Sequence, residues 1–324
     1  MIRPRRLATV DLGTNTVRLL VVEADVQGDG GGDGGGDGGA WRALHQAQRI
    51  TRLGEGQASE GRLLPEPMRR TAAAVAEFAR AARALGATRV RIVATSAVRE
   101  AGNRGEFVAR LEAESGECVE VVSGEDEARL TLKGVTSGLP GLGDSFVLFD
   151  IGGGSTEFVL ARGGGAAAAV SLRLGVVPLV EEWGEPGPVR WDRFARMHEA
   201  VERRLAAEVP DTIAAAGADE LVGTAGTVTT LAALDLGLPA YDAARVHGHR
   251  LGRAAVEREL ARLGALSVAD RGRLPCLEPG RADVIIPGIA ICLAAMARFK
   301  REHVVVSDRG LREGILCELL GATR

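Results

Sequence analysis

The stretch FDIGGGSTEF, residues 149–158, sets three consecutive glycines between Asp150 and Glu157. An apolar run precedes the glycines and an alternating run follows them, which predicts a strand, a tight turn and a second strand. Glycine permits positive φ angles and a close approach of backbone N–H groups, so such a turn can wrap an anion. Taken alone, the pattern is equally that of an ordinary hairpin with a glycine bulge.

A stretch near the N-terminus repeats this pattern. DLGTNT (11–16) follows an apolar run and leads into VRLLVVEA (17–24). The two turns match from their aspartates onward when the second is given one extra residue. Their separation is too large for a solenoid repeat and predicts two similar lobes, each with one phosphate-binding turn. Neither turn carries the Gly-Lys-Ser/Thr of a P-loop, and neither opens a helix as a dinucleotide-binding motif does.

Eight blocks of the chain resemble, in order, the exopolyphosphatase and guanosine pentaphosphate phosphohydrolase (Ppx/GppA) family of the actin-like ATPase superfamily. The blocks are DLGTNTVRLLV (11–21), ATSAVREAGN (94–103), SGEDEARL (123–130), DIGGGSTEFV (150–159), SLRLGVVPL (171–179), GTAGTVTTLAAL (223–234), VHG (246–248) and VSDRGLREGIL (306–316). The resemblance implies an α/β fold of two actin-like (ribonuclease H-like) lobes, with mixed sheets flanked by helices and an interlobe cleft. It places the first lobe at 1–123 plus about 311–324, and the second at 124–310.

Periodicity and turn residues predict the elements between these blocks. The predicted elements are a third strand at 41–50, an amphipathic helix at 68–86 ending at Gly86, a buried strand at 90–98, a helix capped by Asn103 and a strand at 117–124. QGDGGGDGGGDGGA (27–40) is of low complexity and predicts a flexible loop.

Composition narrows the class of function. The formal net charge of −3 gives no global basic field, and an aromatic content of 3% argues against a platform for stacking nucleic-acid bases. The four cysteines are widely spaced, and no run of 18 uncharged apolar residues occurs. The sequence therefore predicts a cytoplasmic protein with reduced thiols, with no nucleic-acid partner and no membrane association. A homodimer is left open.

SGEDEARL (123–130) predicts the start of a helix, with Ser123 as its N-cap and three acidic residues in its first turn. Acidic residues there suit the helix dipole whatever their function, and spacing alone does not single out one of them. The family's proposed general base is the glutamate before the small residue of this motif, which falls on Glu127. The resemblance thus implies that Glu127 orients a water molecule for in-line attack on the terminal phosphorus.

The resemblance also implies a divalent cation. Asp11 and Asp150 match the residues that position metal and water in the superfamily, and Glu157 matches the glutamate that acts with Asp150 in the family. Asp150 and Glu157 are therefore predicted to be catalytic, and Asp11, Asp150 and Glu157 to be ligands of Mg²⁺ or Mn²⁺. Such a site suits Mg²⁺, which proteins commonly hold by one or two carboxylates together with phosphate oxygens.

The predicted substrate-binding residues share a place in or beside a turn that can present donors to phosphate. They are Gly13, Thr14, Asn15, Thr16, Arg18 and Arg99 in the first lobe, and Gly152, Gly153, Gly154, Ser155, Thr156, Gly226 and Thr227 in the second. Other interpretations stay open for three of these features. Arg18 equally fits a solvent-facing strand position, Arg99 a surface ion pair, and GTAGT (223–227) a close packing of strand on helix.

These observations predict a metal-dependent exopolyphosphatase, a phosphoric anhydride hydrolase that releases terminal phosphate from inorganic polyphosphate. The alternative substrate is guanosine pentaphosphate. An ATP-binding kinase would need a catalytic aspartate where SGEDEARL (123–130) supplies a glutamate, and a nucleotide sensor is expected to lack the acidic residues found here. No guanine pocket is recognisable in the sequence. The short two-lobe form resembles exopolyphosphatases of GC-rich bacteria, which favours polyphosphate.

Overall fold

The computed structural model describes residues 5–24 and 41–321, so the predicted loop at 27–40 lies outside the described residues. The chain divides into two compact units, Met1–Pro140 with Leu311–Arg324, and Gly141–Gly310. The first unit continues past residue 123 because the helix Gly124–Thr136 packs on the C-terminal helix Leu311–Gly321. The lobe limits implied by the resemblance stay a prediction.

Strands and helices alternate along most of the described chain. In chain order they are β1 (Arg5–Leu12), β2 (Thr16–Ala24), β3 (Trp41–Ile50), α1 (Gln57–Glu60), α2 (Pro65–Ala84), β4 (Arg89–Ala94), α3 (Ser96–Glu100), α4 (Arg104–Ser115), β5 (Val119–Val121), α5 (Gly124–Thr136), β6 (Ser145–Ile151), β7 (Thr156–Arg162), β8 (Gly165–Leu172), α6 (Val176–Trp183), α7 (Trp191–Glu208), α8 (Asp211–Ala214), β9 (Glu220–Thr224), α9 (Ala225–Asp235), α10 (Ala243–Val246), β10 (Arg250–Gly252), α11 (Arg253–Gly264), α12 (Val268–Arg271), a 3₁₀ turn (Pro279–Arg281), α13 (Ile285–Arg298), β11 (His303–Val306) and α14 (Leu311–Gly321).

The two units repeat one sheet topology. In the first, β1, β2 and β3 form an antiparallel meander, and β4 and β5 add in parallel, giving the order β3-β2-β1-β4-β5. In the second, β6, β7 and β8 form the meander, β9 and β11 add in parallel, and β10 closes the edge antiparallel to β11. The predicted α/β class, with mixed sheets flanked by helices, is confirmed.

Each sheet buries its own apolar cluster, and these clusters fix the hairpins. In the first unit, Val10 and Leu19 pack with Phe78 of α2. In the second, the rings of Phe149 and Phe158, on the paired strands β6 and β7, lie 6.4 Å apart between centroids. Full burial of such a side chain contributes roughly 1.5–3 kcal/mol, so the strands flanking each turn are held firmly.

The helix predicted at 68–86 is confirmed, although it begins earlier, at Pro65. Proline is favoured in the first helical turn because backbone N–H groups there have no acceptor within the helix, so the helix loses no hydrogen bond when proline lacks one. The chain leaves the helix through Gly86, whose φ of 83° lies in the left-handed region that glycine adopts without strain.

The buried strand predicted at 90–98 is too long. It ends at Ala94, after which Thr95 donates its N–H to Leu12 O over 3.1 Å. The carbonyl of Thr95 then accepts from the N–H of Val98, so the chain turns into the short helix α3. The strand predicted at 117–124 is shorter in the same way and spans only Val119–Val121.

Asn103 precedes helix α4 as predicted, but its side chain does not cap the helix. Its Oδ1 accepts from the N–H of Leu63 over 2.9 Å, and its Nδ2 donates to the carbonyl of the same residue over 3.1 Å. The amide therefore pins the segment before α2, because both of its polar atoms find a backbone partner there.

None of the four cysteines forms a disulfide; Cys292 and Cys317 are buried, Cys276 is partly buried and Cys118 is exposed. No helix within the described ranges is both long enough and apolar enough to cross a membrane.

Candidate active site

The first turn joins β1 to β2 and is closed by one backbone bond. The N–H of Gly13 donates to the carbonyl of Thr16 over 3.0 Å. Asp11 lies directly opposite Arg18 in the antiparallel register, so the two side chains share one face of the sheet. The first turn therefore places a carboxylate beside a guanidinium.

The second turn joins β6 to β7 and has the same construction. The N–H of Gly152 donates to the carbonyl of Ser155 over 2.9 Å. Asp150 lies directly opposite Glu157, at the same separation along the chain as the aspartate–arginine pair of the first turn. The second turn therefore places two carboxylates side by side.

The extra residue assigned to the second turn from the sequence is wrong. That alignment matched the hydroxyl residues of the two stretches, whereas the backbone registers align the turns without a gap. Thr14 is then equivalent to Gly153, and Arg18 to Glu157. The two turns therefore share a backbone and differ in the charge opposite the aspartate.

The carbonyls of the first turn are held by a neighbouring segment. Thr14 O accepts from the N–H of Gly54 over 3.0 Å, and Asn15 O accepts from the N–H groups of Thr51 and Arg52 over 2.9 and 3.0 Å. Carbonyl and N–H point in opposite directions across a planar trans peptide. The N–H of Asn15 therefore points away from that segment, as a donor to an anion would.

The carbonyls of the second turn are held by the start of α6. Gly152 O accepts from the N–H of Val176 over 3.2 Å, and Gly153 O accepts from that of Val177 over 2.8 Å. By the same peptide geometry, the N–H groups of Gly153 and Gly154 point away from α6. Both turns thus present main-chain donors on the side opposite to their supporting segment.

Two side-chain atoms of the first turn are buried without a hydrogen-bond partner in the part of the chain that the structure describes. They are Oγ1 of Thr14 and Oδ1 of Asn15. Buried polar groups in native proteins are nearly always hydrogen-bonded, and exceptions call for a specific explanation. A phosphate oxygen would accept a hydrogen bond from the Thr14 hydroxyl, whereas Oδ1 of Asn15, which only accepts, would need a donor such as a water molecule.

The acidic pair of the second turn is the best candidate cation site. Glu157 is only 2% exposed, and its Oε1 accepts a hydrogen bond from Ser171 Oγ over 2.7 Å. Asp150 and Glu157 fit Mg²⁺ or Mn²⁺, which take carboxylate oxygens together with phosphate oxygens. Among residues 5–24 and 41–321, no group of three or more Asp, Glu, His or Cys side chains is placed to hold a metal.

The surroundings of Asp11 differ from those of Asp150. Burial raises the pKa of Asp11, while the nearby guanidinium groups of Arg18 and Arg312 lower that pKa and the Glu313 carboxylate raises it. Asp11 as a metal ligand stays a prediction.

The structure separates the three acidic residues at the start of α5. The predicted Ser123 cap is confirmed, because its Oγ accepts from the N–H of Asp126 over 3.1 Å. Glu125 is exposed, and Asp126 also accepts from Ser123 Oγ over 2.7 Å, a bond that lowers the pKa of Asp126. Glu127 alone of the three is buried, at 9% exposure.

Arg99 holds Glu127 in place. Its Nη1 donates to Glu127 Oε2 over 2.8 Å and to the carbonyl of Val122 over 3.1 Å. Arg99 therefore makes an ion pair, but one that is largely buried rather than on the surface. The buried pair fixes the orientation of the carboxylate to which the resemblance assigns the water.

The GTAGT segment links strand β9 to helix α9 beside the second turn. Thr224, the last residue of β9, is the register neighbour of Asp150. A Cβ on Gly226 would overlap the guanidinium of Arg281, and Thr227 is buried against Gly288. These contacts place a cation at the start of α9, and they also show the close packing that was the other interpretation.

Sequence reasoning missed two residues of this region. Arg281 lies in a 3₁₀ turn outside every matched block, and only the fold brings it to Gly226. Ser171 begins the block SLRLGVVPL (171–179), but its register position opposite Glu157 follows from the pairing of β7 with β8. Neither position carries a local pattern that would identify it.

Comparisons with known proteins identify the family of this chain. A sequence model of the Ppx/GppA phosphatase family matches residues 35–323. Exopolyphosphatase 2 of Mycobacterium tuberculosis is 37% identical over 326 aligned residues, covering 98% of this chain and 99% of that protein. A guanosine-5'-triphosphate,3'-diphosphate pyrophosphatase of Aeromonas salmonicida is 29% identical and is covered over 59% of its length.

A solved structure extends the agreement to the fold. The Aquifex aeolicus member of the Ppx/GppA family superimposes with a TM-score of 0.80 at 32% identity, covering 99% of each chain. The predicted enzyme class, a phosphoric anhydride hydrolase, is confirmed by the family match and the curated relatives. The chain belongs to the Ppx/GppA phosphatase family.

Proposed function

We propose that this protein is a metal-dependent exopolyphosphatase, which hydrolyses the terminal phosphoanhydride bond of inorganic polyphosphate. The observation that carries the proposal is the pair of matched turns, one beside a guanidinium and one beside two carboxylates. A polyphosphate chain with a bound divalent cation offers anionic oxygens to the guanidinium and a cation to the two carboxylates. The similarity to curated exopolyphosphatases supports the same substrate.

The first turn is assigned to the phosphate chain. The N–H of Asn15, the hydroxyl of Thr14 and the guanidinium of Arg18 are donors that suit phosphate oxygens. Gly13 and Thr16 set the shape of the turn through their backbone bond. These groups bind and orient the substrate without exchanging a proton with it.

The second turn is assigned to the reacting end of the chain. Asp150 and Glu157 would hold Mg²⁺ or Mn²⁺, and the ion would neutralise the charge that builds up on the phosphate oxygens. Ser171 holds one oxygen of Glu157 and so fixes the orientation of that carboxylate. The N–H groups of Gly153 and Gly154, with the side chain of Ser155, are assigned to the terminal phosphate, whereas the buried hydroxyl of Thr156 donates to the carbonyl of Leu174.

Glu127 is assigned to the attacking water. The water oxygen forms a bond to the terminal phosphorus, the bridging P–O bond breaks, and the bridging oxygen leaves with the shortened chain. The proton of the water passes to the carboxylate of Glu127. Arg99 acts through Glu127, because it holds the carboxylate in one orientation.

A second candidate substrate is guanosine pentaphosphate. The relative from Aeromonas salmonicida that is named for guanosine-5'-triphosphate,3'-diphosphate supports it. Its terminal phosphoanhydride bond has the same chemistry, so the assignments at both turns carry over unchanged. What separates the two substrates is the guanosine, for which no residue is assigned here.

Initial rates of phosphate release from polyphosphate of graded lengths, guanosine pentaphosphate and ATP test the proposal. We expect polyphosphate to give the highest kcat/KM, with single phosphates and progressively shorter chains as products on a sizing gel. A higher kcat/KM for guanosine pentaphosphate would transfer the function to the second candidate. Internal fragments at early times would contradict attack at the chain end.

A further inference from the structure

The C-terminal helix α14 lies over the face of the first sheet that carries Asp11 and Arg18. Side chains two positions apart on a strand share a face, so Thr9 lies on this face with Asp11, and Leu20 lies on it with Arg18. Leu20 packs in one apolar cluster with residues of α14. The hydroxyl of Thr9 donates to the carbonyl of Arg312 over 3.3 Å. The first turn of α14 therefore lies over the strand positions next to Asp11 and Arg18.

The guanidinium of Arg312 is held by two acceptors of the first unit. Its Nε donates to Glu313 Oε1 over 2.9 Å, and its Nη2 lies 2.7 Å from the same oxygen. Its Nη2 also donates to Gln46 Oε1 on β3 over 3.1 Å. Gln46 lies opposite Leu20 in the register of β2 and β3. Arg312 thus reaches across β2 at the position next to Arg18.

Arg18 differs from Arg312 in having no partner within the protein. It forms no hydrogen bond or ion pair with any residue of the ranges 5–24 and 41–321. Gln46 is nevertheless its diagonal neighbour across the sheet, a separation that long side chains can span. The amide oxygen of Gln46 is already occupied by Arg312, and so is the carboxylate of Glu313.

Asp11 shows that these charges lie close together. Burial raises the pKa of Asp11, whereas the guanidinium groups of Arg18 and Arg312 both lower it and Glu313 raises it. Two guanidinium groups and two carboxylates therefore occupy one region beneath the start of α14. Because Arg312 takes the Glu313 carboxylate, Arg18 keeps its donors for another anion.

Loss of the Arg312 guanidinium would change this balance. Glu313 is only 5% exposed, and a buried carboxylate without a cation is strongly unfavourable. Arg18 lies on the same face and has no partner in the described chain, so it is the cation that can compensate Glu313. An Arg18 bound to Glu313 would no longer be available to a phosphate oxygen.

We propose that Arg312 is a positioning residue, which keeps Arg18 available to the phosphate chain by occupying the Glu313 and Gln46 oxygens that would otherwise bind Arg18. The inference rests on the proposed function, because it takes Arg18 as a phosphate contact. Arg312 acts through Arg18 and does not itself touch the substrate.

The test measures binding of bis(phosphonomethyl)phosphinate, a tripolyphosphate analogue with P–C–P bridges that are not hydrolysed, by calorimetry in the presence of Mg²⁺. Arg312→Met should raise its Kd roughly tenfold or more, the loss of one charge-assisted contact, although Arg18 is unchanged. No phosphate release is involved, so failure of this test is distinguishable from failure of the exopolyphosphatase proposal.

Arg91→Met is the matched control. Arg91 lies on the same face of the sheet as Thr9 and also holds α14, through a 2.7 Å ion pair with Glu318. Its substitution removes one cation and one α14 contact, as Arg312→Met does, but frees no carboxylate beside Arg18. The Kd should therefore change less than about twofold.

Two double substitutions separate positioning from direct contact. Arg312→Met with Glu313→Gln should return the Kd to within about threefold of its original value, because a neutral amide does not capture Arg18. Arg18→Met with Arg312→Met should bind as Arg18→Met alone does, within about twofold, because Arg312 acts only through Arg18.

Five results would overturn the proposal. They are an unchanged Kd in Arg312→Met, an equal loss in Arg91→Met, no recovery with Glu313→Gln, additive losses with Arg18→Met, and no binding of the analogue by the unmodified protein. If Arg312→Met alone does not fold, the double substitution with Glu313→Gln decides, because it buries no unpaired charge. A Kd raised about tenfold in that protein would mean that Arg312 contacts the phosphate chain directly, which contradicts the proposal.

Discussion

The turn after β1 and the turn after β6 share their backbone hydrogen bonding but differ in the charged residue opposite the aspartate. Both are closed by an equivalent N–H to carbonyl bond, and both set an aspartate opposite the residue seven positions later. That residue is Arg18 in the first unit and Glu157 in the second. The comparison teaches that a repeated backbone geometry presents equivalent main-chain N–H groups, while one side chain per turn sets the charge beside them.

Each turn packs closely on its supporting segment. The start of α6 lies so close to the second turn that a Cβ on Gly175 would overlap the carbonyl of Gly153. The first turn rests on the segment 51–54, where a Cβ on Gly54 would overlap the side chain of Thr14. Both close approaches therefore require glycine in the supporting segment.

Removal of divalent ions tests the role of the two carboxylates at the second turn and has the largest expected effect. We expect chelation to reduce phosphate release to background, because Asp150 and Glu157 would otherwise repel the phosphate chain. Added Mg²⁺ or Mn²⁺ should restore the rate, with unchanged circular dichroism as the control for folding. Full activity after exhaustive chelation would break the assignment of a cation to the second turn.

The substitution Glu127→Gln tests whether the first unit also contributes to the chemical step. Loss of the carboxylate should lower kcat roughly 10²–10⁴-fold, the usual contribution of a positioned base. KM should change little, because the amide keeps the shape of the side chain. The matched control is Glu125→Gln on the same helical turn, which is exposed and should leave kcat within about twofold. The reverse result, with Glu125→Gln inactive and Glu127→Gln active, would show that the motif is misaligned.

The substitution Thr14→Val tests whether the first turn binds phosphate. It removes a buried hydroxyl without a partner in the described chain, so the free energy of unfolding should stay the same or rise. KM for polyphosphate should increase about tenfold, since the hydroxyl is assigned to a phosphate oxygen. Thr71→Val, at a second such hydroxyl on α2, is the control and should leave KM unchanged. An unchanged KM in Thr14→Val would remove that hydroxyl from the binding site.

Local sequence patterns predicted the features that depend only on residues close together in the chain. The two hairpins follow from apolar runs interrupted by glycine and small polar residues, and the Ser123 cap follows from the preference of serine for the position before a helix. The acidic run after Ser123 was recognised, but its three members were not distinguishable by position. Burial against the rest of the first unit separates Glu127 from Glu125.

Features that depend on contacts between residues far apart in the chain could not be predicted from the sequence. The strand after Arg89 ends where Thr95 bonds to Leu12, a residue far earlier in the chain. The contact of Arg281 with Gly226 likewise requires the fold of the second unit. The gap-free alignment of the two turns was missed because residue similarity guided the alignment, whereas strand register decides which residues face each other.

The central claim is that the residue opposite the aspartate gives each turn its role, and steady-state kinetics of Arg18→Met and Glu157→Gln test it most directly. Glu157→Gln should lower kcat for phosphate release from polyphosphate at least about a hundredfold, with KM within a few-fold of its original value. Arg18→Met should raise KM roughly tenfold to a hundredfold, the loss of a charge-assisted phosphate contact, with kcat within a few-fold. If both substitutions change the same parameter, kcat or KM, by the same factor, the two turns do not have separate roles, and the claim is contradicted.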